Sequence, residues 1–208
     1  MNSLLRLLTW LSPAFPVGAF GYSHGLETAI RTGRVTDRET LVEWLIGLID
    51  HGSGRTDAVL LAAAHRGEDV SDLATALSPS LERQLETLDQ GEAFLIAVGR
   101  SWPHPDLPRT APYPVAVGIT AGLHGVPLQD TLTAWLHAFA ANLVSVAVRA
   151  VPIGQSEGVA AIAVLEPTIL VAAARAAAST LDDLGACALA SDIAAMRHET
   201  LQPRLFLS

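Results

Sequence analysis

Seven histidines, at positions 24, 51, 65, 104, 124, 137 and 198, carry most of the chain's capacity for acid–base or metal chemistry. In "HGLE", His24 and Glu27 stand three residues apart, which puts an imidazole and a carboxylate on one face if the segment is helical. Such a pair can ligate a divalent metal, so a helical metal-binding enzyme built on His24, Glu27 and further histidines is one reading. A metal site needs more than two ligands and the sequence contains no HExxH, which favours hydrogen-bonded or exposed structural roles. "MRHET" sets Arg197, His198 and Glu199 side by side, and on spacing alone this reads as a solvated helix end.

No nucleophile is flagged: there is no G-x-S-x-G, and Cys187 in "LGACALA" reads as a buried, inert thiol in a helix. The glycines of "FPVGAFGYSHG" do not form GxGxxG and follow no strand, which excludes a dinucleotide fingerprint. Lysine is absent, and all 13 basic residues are arginine. A P-loop places a lysine on the β/γ-phosphates and Schiff-base chemistry uses a lysine amine. This chain carries neither chemistry by itself.

The 208 residues are 50% hydrophobic and only 16% charged, with a net charge of −8 and a mean hydropathy of +0.36. The charged fraction is well below the roughly 25% usual for globular proteins. That points either to a membrane or to apolar surface buried against a partner. An acidic chain is a poor match for nucleic acid. A single cysteine excludes an internal disulfide and fits a reducing compartment, the cytoplasm. "MNSLLRLLTWLSPAFP" does not read as a signal peptide, because Arg6 interrupts it and no small-residue cleavage site follows.

Helical patterns dominate the elements that must position these groups. "TDRETLVEWLIGLID" opens with Thr36 as N-cap and Glu39 as capping-box partner, with Leu41, Leu45, Leu48 and Ile49 at helical spacing. A short helix is expected from Thr56 to His65. Another starts from Ser78 and Pro79 and repeats Leu81, Leu85 and Leu88. Residues 101–114, "SWPHPDLPRTAPYP", hold five prolines and form a loop. A helix over about Val115–Leu123 precedes residues 131–148, which carry no formal charge. At 18 residues this stretch reaches only the lower edge of a membrane span. It is read as the surrounded helix of a bundle rather than as a transmembrane segment. A short helix ending near Pro167, an alanine-rich helix over 168–188 and a last one capped by Ser191 and Asp192 follow. The expectation is an all-α bundle, one domain over 1–208.

Two segments resist this reading. "SPAFPVGAFGYSHGLE" has aromatics, prolines and glycines before any charge. Its prolines stiffen the chain and Gly18 and Gly21 permit tight bends, while Phe15, Phe20 and Tyr22 supply apolar area, as in a shaped surface. "QPRLFLS" closes on Leu205, Phe206 and Leu207, which implies docking on this chain or on a partner, with Arg204 as an anchor. Arg149 complements the negative C-terminal end of its helix. Alternatively, it lines an interface together with Gln155.

"SPAFPVGAFGYSHGLE", "NLVSVAVRAVPIGQSEG" (142–158) and "DIAAMRHETLQPRLFLS" (192–208), in this order and spacing, resemble the UreF family of urease accessory proteins. The resemblance covers essentially the whole chain and is looser from about 55 to 110; Gly21 stands where the family more often has serine. It implies an all-α, non-enzymatic and usually dimeric maturation factor without a cofactor. Such a factor bridges a UreD/UreH-type protein on apo-urease and the UreG-type GTPase that carries nickel, and it couples GTP hydrolysis to nickel insertion. Carried over by position, the partner-binding residues are Phe15, Pro16, Gly18, Tyr22, His24 and Glu27 in the first motif, and Arg149 and Gln155 in the second. In the tail they are Arg197, His198, Glu199, Arg204, Leu205 and Phe206, which the resemblance assigns to the UreD/UreH contact.

Overall fold

The computed structural model describes residues 3–151, 153–185 and 187–208. Ten α-helices follow one another among these residues: α1 (Ser3–Trp10), α2 (Leu26–Arg31), α3 (Arg38–His51), α4 (Ser53–His65), α5 (Ser71–Ala76), α6 (Leu81–Ser101), α7 (Tyr113–Leu123), α8 (Leu128–Ala150), α9 (Gln155–Ala178) and α10 (Leu189–His198). Single 3-10 turns occur at Ala19–Gly21 and Leu181–Asp183, and no strand occurs among the described residues. The fold is all-α.

The uncharged run becomes α8, whose Leu132, Leu136, Phe139, Leu143 and Val146 enter the core. Burying each such side chain favours the fold by roughly 1.5–3 kcal/mol. α9 packs back along α8. The second surrounded helix is α4, where Ala58 through Ala64 are all buried. It begins at Ser53, earlier than the expected Thr56. α7 crosses it closely: a Cβ on Gly118 would lie 2.4 Å from the Leu61 carbonyl oxygen, so glycine sets the approach of the two backbones.

Several expected boundaries shift. The N-cap of α3 is Asp37 rather than Thr36, with Thr40 closing the capping box, because the Asp37 carboxylate accepts from Thr40 N at 2.9 Å. Ser80, not Ser78, caps α6. Pro167 does not end a helix; it lies inside α9 on its exposed side, where the missing backbone donor leaves no buried acceptor orphaned. The alanine-rich helix stops at Ala178, after which Thr180 and Asp183 cap each other's backbone in a turn. Cys187 therefore lies in a loop and is exposed, contrary to the buried thiol expected from its apolar neighbours. α10 starts at Leu189, ahead of the proposed Ser191–Asp192 cap. Residues 102–112, between α6 and α7, form the proline-rich loop.

The largest departure is the orientation of α6. Its leucine stripe faces outward, with Leu81 60% exposed, while Arg83, Glu86 and Gln90 face inward beside Phe94 and Val98. A polar stripe is buried here because its members satisfy one another. Among the described residues two helices, α8 and α9, are long and apolar enough to cross a membrane. α8 is mostly buried in the protein, whereas α9 keeps Val159, Val164, Leu170 and Val171 on the surface.

Candidate interaction site

The two odd segments meet. Leu207 N donates to Gly21 O at 2.7 Å and Ser23 N donates to Ser208 O at 2.7 Å, so the tail lies alongside the first motif backbone to backbone. A side chain at Gly21 would touch Leu207 at an ordinary 3.5 Å. His24 and Gly25 then take left-handed conformations, φ 53° and 75°. They turn the chain into α2, and a Cβ on Gly25 would strike the α10 backbone at Ala195 N, 2.6 Å away.

This turn sends His24 and Glu27 into different networks rather than onto one ligand face. Glu27 is 1% exposed. Its carboxylate accepts from Leu205 N (2.9 Å) and Phe206 N (3.1 Å), lies 3.4 Å from Arg31, and meets His198 Nε2 at 3.1 Å. Hydrogen bonds to an ionised acceptor are among the stronger ones, so Glu27 pins the tail. His198 is fully buried, which overturns its reading as part of a solvated helix end. Its Nδ1 meets Glu82 Oε2 at 2.7 Å, and Glu82 also accepts from Arg204. Ionised carboxylates only accept, so both contacts are satisfied when both ring nitrogens carry hydrogen.

His24 Nε2 meets Glu86 Oε1 at 2.8 Å. Glu86 also accepts from Arg83, from Gln90 Nε2 and from the Ser208 hydroxyl. Burial pushes the Glu86 carboxyl up, but the Arg83 charge and the hydrogen bonds from His24 and Arg83 outweigh it and bring its pKa to about 2. Burial and the neighbouring Arg83 charge push the His24 pKa down, favouring a neutral imidazole that donates to Glu86. Arg149, from the second motif, completes the assembly. Its Nη2 donates to Phe20 O at 2.8 Å and its guanidinium stacks 4.7 Å from the Phe206 ring. It also reaches Ser145 O on its own helix at 3.1 Å, so the helix-end and interface readings hold together.

Of the residues singled out in the sequence, His24, Glu27, Arg149, His198, Arg204, Leu205 and Phe206 converge here. Tyr22 is half-buried beside them, and burial together with the Asp89 and Glu86 carboxylates raises its phenol. Glu199 accepts from Leu81 N at 3.0 Å, tying α10 to the start of α6. Phe15 turns inward against Phe94, 5.4 Å between centroids. Pro16, Gly18, Gln155 and Arg197 are exposed and stand outside the network. Among the described residues no three of His, Cys, Asp and Glu group as a metal-ligand set. Sequence reasoning missed Glu82, Glu86, Arg83, Ser23 and Ser208. The available signal was Arg83, Glu86 and Gln90 at helical spacing, but the stripe reads as a wet face.

The surface around the network is apolar. Phe206 is buried, while Leu205 is 71% exposed, and Leu207, Phe20, Ile193, Met196 and Leu81 also reach solvent.

A sequence model of the UreF family matches residues 35–166. Among similar proteins, the "Urease accessory protein UreF" of Cereibacter sphaeroides (strain KD131 / KCTC 12085) is 53% identical, over 98% of this chain and 98% of its own length. That of Rhodopseudomonas palustris (strain BisB5) is 46% identical, over 99% of this chain and 91% of its own. The "Urease accessory protein UreF 1" of Brucella canis is 50% identical, over 100% of this chain and 95% of its own. Both segments that build the site lie outside the family match, and the alignment with the Brucella canis protein, over the whole of this chain, takes them in. The chain is a member of the UreF family.

Proposed function

We propose that this chain is a urease maturation factor that works through contacts rather than turnover. It bridges a UreD/UreH-type protein docked on apo-urease and a UreG-type GTPase, and couples GTP hydrolysis to delivery of nickel, the cargo, into the enzyme. Family membership supports the urease role. The observation that carries the scaffold reading is the tail held on the first motif, with Leu205 and Leu207 displayed beside buried charges. An ordered apolar surface is what a partner recognises at low entropic cost. The missing lysine supports a GTPase on another chain.

In this reading the tail contacts the UreD/UreH-type protein through Arg197, Glu199, Arg204 and Leu205, with Phe206 buried beneath them as the anchor that holds the tail in place. Phe15, Pro16, Gly18 and Tyr22 shape the adjoining surface, and Gln155 extends it from the second motif. The chain acts as one cytoplasmic domain and as a homodimer, for which the exposed apolar face of α9 is a suitable surface. Co-expression with the two partners tests the proposal. The three proteins should co-purify, and Leu205→Glu should release the UreD/UreH-type protein while the chain stays folded. If neither partner binds the chain, singly or together, the scaffold reading fails.

A further inference from the structure

Four rings meet where α7 ends. His124, the residue after α7, lies 5.6 Å from the Trp10 ring of α1 and 5.7 Å from the His104 ring of the proline-rich loop, between centroids. Trp10 in turn meets Trp102, at the start of that loop, edge to face at 5.8 Å. Two hydrogen bonds tighten the contact. Arg6 Nη1 donates to the His124 carbonyl at 3.3 Å, and His124 Nε2 donates to the Trp102 carbonyl at 3.1 Å. One residue therefore holds α1 on one side and the loop on the other.

The hydrogen bonding fixes where a proton adds. A carbonyl only accepts, so the Trp102 contact puts the hydrogen of neutral His124 on Nε2. Nδ1 then carries the lone pair. It has no hydrogen-bond partner among the described residues and is not sealed from solvent. The surroundings of the ring are cationic. Arg6 from α1 and His104 from the loop face it, and among the described residues no carboxylate pairs with it. Asp106 lies instead 3.7 Å from His104 and is largely exposed. His65, from α4, contacts the Val126 carbonyl at 2.8 Å, two residues beyond His124. Burial, with the Arg6 and His104 charges, pushes the His124 pKa down against the pull of the Trp102 carbonyl.

We propose that this cluster is an acid-sensitive clasp, in which a proton on His124 loosens the hold of α7 on both α1 and the proline-rich loop. In the closed cluster the added charge sits half-buried beside Arg6 and a second imidazole. In the opened cluster water solvates it. The sign follows from linkage. The closed state binds this proton less tightly than an exposed histidine does, so closure is favoured above about pH 6.5 and loses that advantage as pH falls. The effect is local. Leu7 and Trp10 still bury α1 against the core, so acid raises the frequency of opening rather than detaching the helix. The clasp stands on these contacts whether or not the bridging role holds.

Amide exchange of the full chain, followed by NMR at about pH 7.5 and about pH 5.5, tests it as protection factors corrected for the intrinsic rate. Two amides report on the clasp: Leu11 N, bonded to Leu7 O at 3.0 Å at the end of α1, and Leu107 N, bonded to His104 O at 3.2 Å in the loop. On acidification their protection should fall several-fold more than that of Leu143 in the core of α8. His124→Gln keeps an N–H for the Trp102 carbonyl but takes up no proton, so Leu11 and Leu107 should then track Leu143. Arg6→Gln removes the charge that faces the ring. It should shrink the acid response without abolishing it, because burial remains. This second variant decides the matter even where the first fails to fold. The proposal is overturned if Leu11 and Leu107 lose no more protection than Leu143. It is equally overturned if His124→Gln responds to acid as the parent chain does, or if Arg6→Gln leaves the response unchanged.

Discussion

Glu27 and His198 are 171 residues apart in sequence, yet Oε2 of one lies 3.1 Å from Nε2 of the other in the interior. The contact closes the tail onto the first motif, and Glu82 on the far side of the ring ties the pair to α6. Removing the imidazole would leave two carboxylates facing a void. His198→Ala should therefore cost about 2 kcal/mol, as expected when buried acceptors lose one of their partners, read as a lower urea midpoint. Trypsin should also cut faster after Arg204. An unchanged midpoint would mean that water replaces the ring at no cost.

Glu27 should control the tail itself. Its carboxylate holds the amides of Leu205 and Phe206, and a hydrogen bond to a charged group contributes about 1.5–3 kcal/mol. Glu27→Ala should speed hydrogen exchange at these two amides by ~10-fold or more. Glu27→Gln, which keeps one acceptor oxygen, should fall between. Exchange at Leu143, in the core of α8, should change little in either variant.

Arg149 and Phe206 form a cation–π pair that couples the second motif to the tail. A double-mutant cycle of Arg149→Ala and Phe206→Leu should give a coupling of about 0.5–1 kcal/mol in stability. Arg149→Lys should lose most of it, because an ammonium does not stack on the ring while donating to Phe20 O as the guanidinium does. Additive single effects would show that the ring packs without the charge.

The all-α class, the proline-rich loop and the surrounded α8 were legible because they rest on local rules: helical spacing, missing backbone donors and an uncharged run. The position of the candidate site was legible only as two segments too apolar for loops. Their meeting was not, since it depends on contacts more than a hundred residues apart, such as Leu205 N with Glu27. The inward turn of α6 was illegible for a specific reason. Periodicity separates the apolar from the polar stripe but does not say which is buried. Arg83, Glu86 and Gln90 are inside because His24 and Ser208 arrive from elsewhere to pair with them. Pro167 misled for the converse reason, because an exposed helix face tolerates the lost bond.

The crossing of α4 and α7 can be tested at a single methyl group. Gly118→Ala would place its Cβ 2.4 Å from a backbone oxygen that has no freedom to move aside, and should cost about 1–3 kcal/mol. Gly99→Ala, in α6 with nothing within 4 Å, should instead stabilise by about 0.5–1 kcal/mol through helix propensity. Opposite signs in one set of thermal melts would establish that backbone approach, rather than the loss of glycine as such, decides the outcome.

The buried charges should also give stability an unusual pH profile. Asp57 sits 4.0 Å from Arg83. Burial, reinforced by the Glu86 charge, pushes its carboxyl up to about 6 against the pull of that arginine. The folded state therefore binds this proton more tightly than the unfolded chain, whose aspartates titrate near ~3.9. Stability from this group is present below about pH 4 and is lost as pH rises through about 6. Glu86 works in the other direction: with a folded pKa of about 2 it contributes above about pH 4.3 and loses that contribution as pH falls. Asp57→Asn mimics the protonated acid. It should match the parent chain at pH 4 and exceed it at pH 8 by about 2 kcal/mol, measured as urea midpoints across that range. Glu86→Gln should show the opposite sign at pH 8, since it leaves Arg83 buried without its principal anion. If Asp57→Asn weakened the protein at pH 8, the ionised carboxylate would have to form a net stabilising pair with Arg83 that outweighs its desolvation.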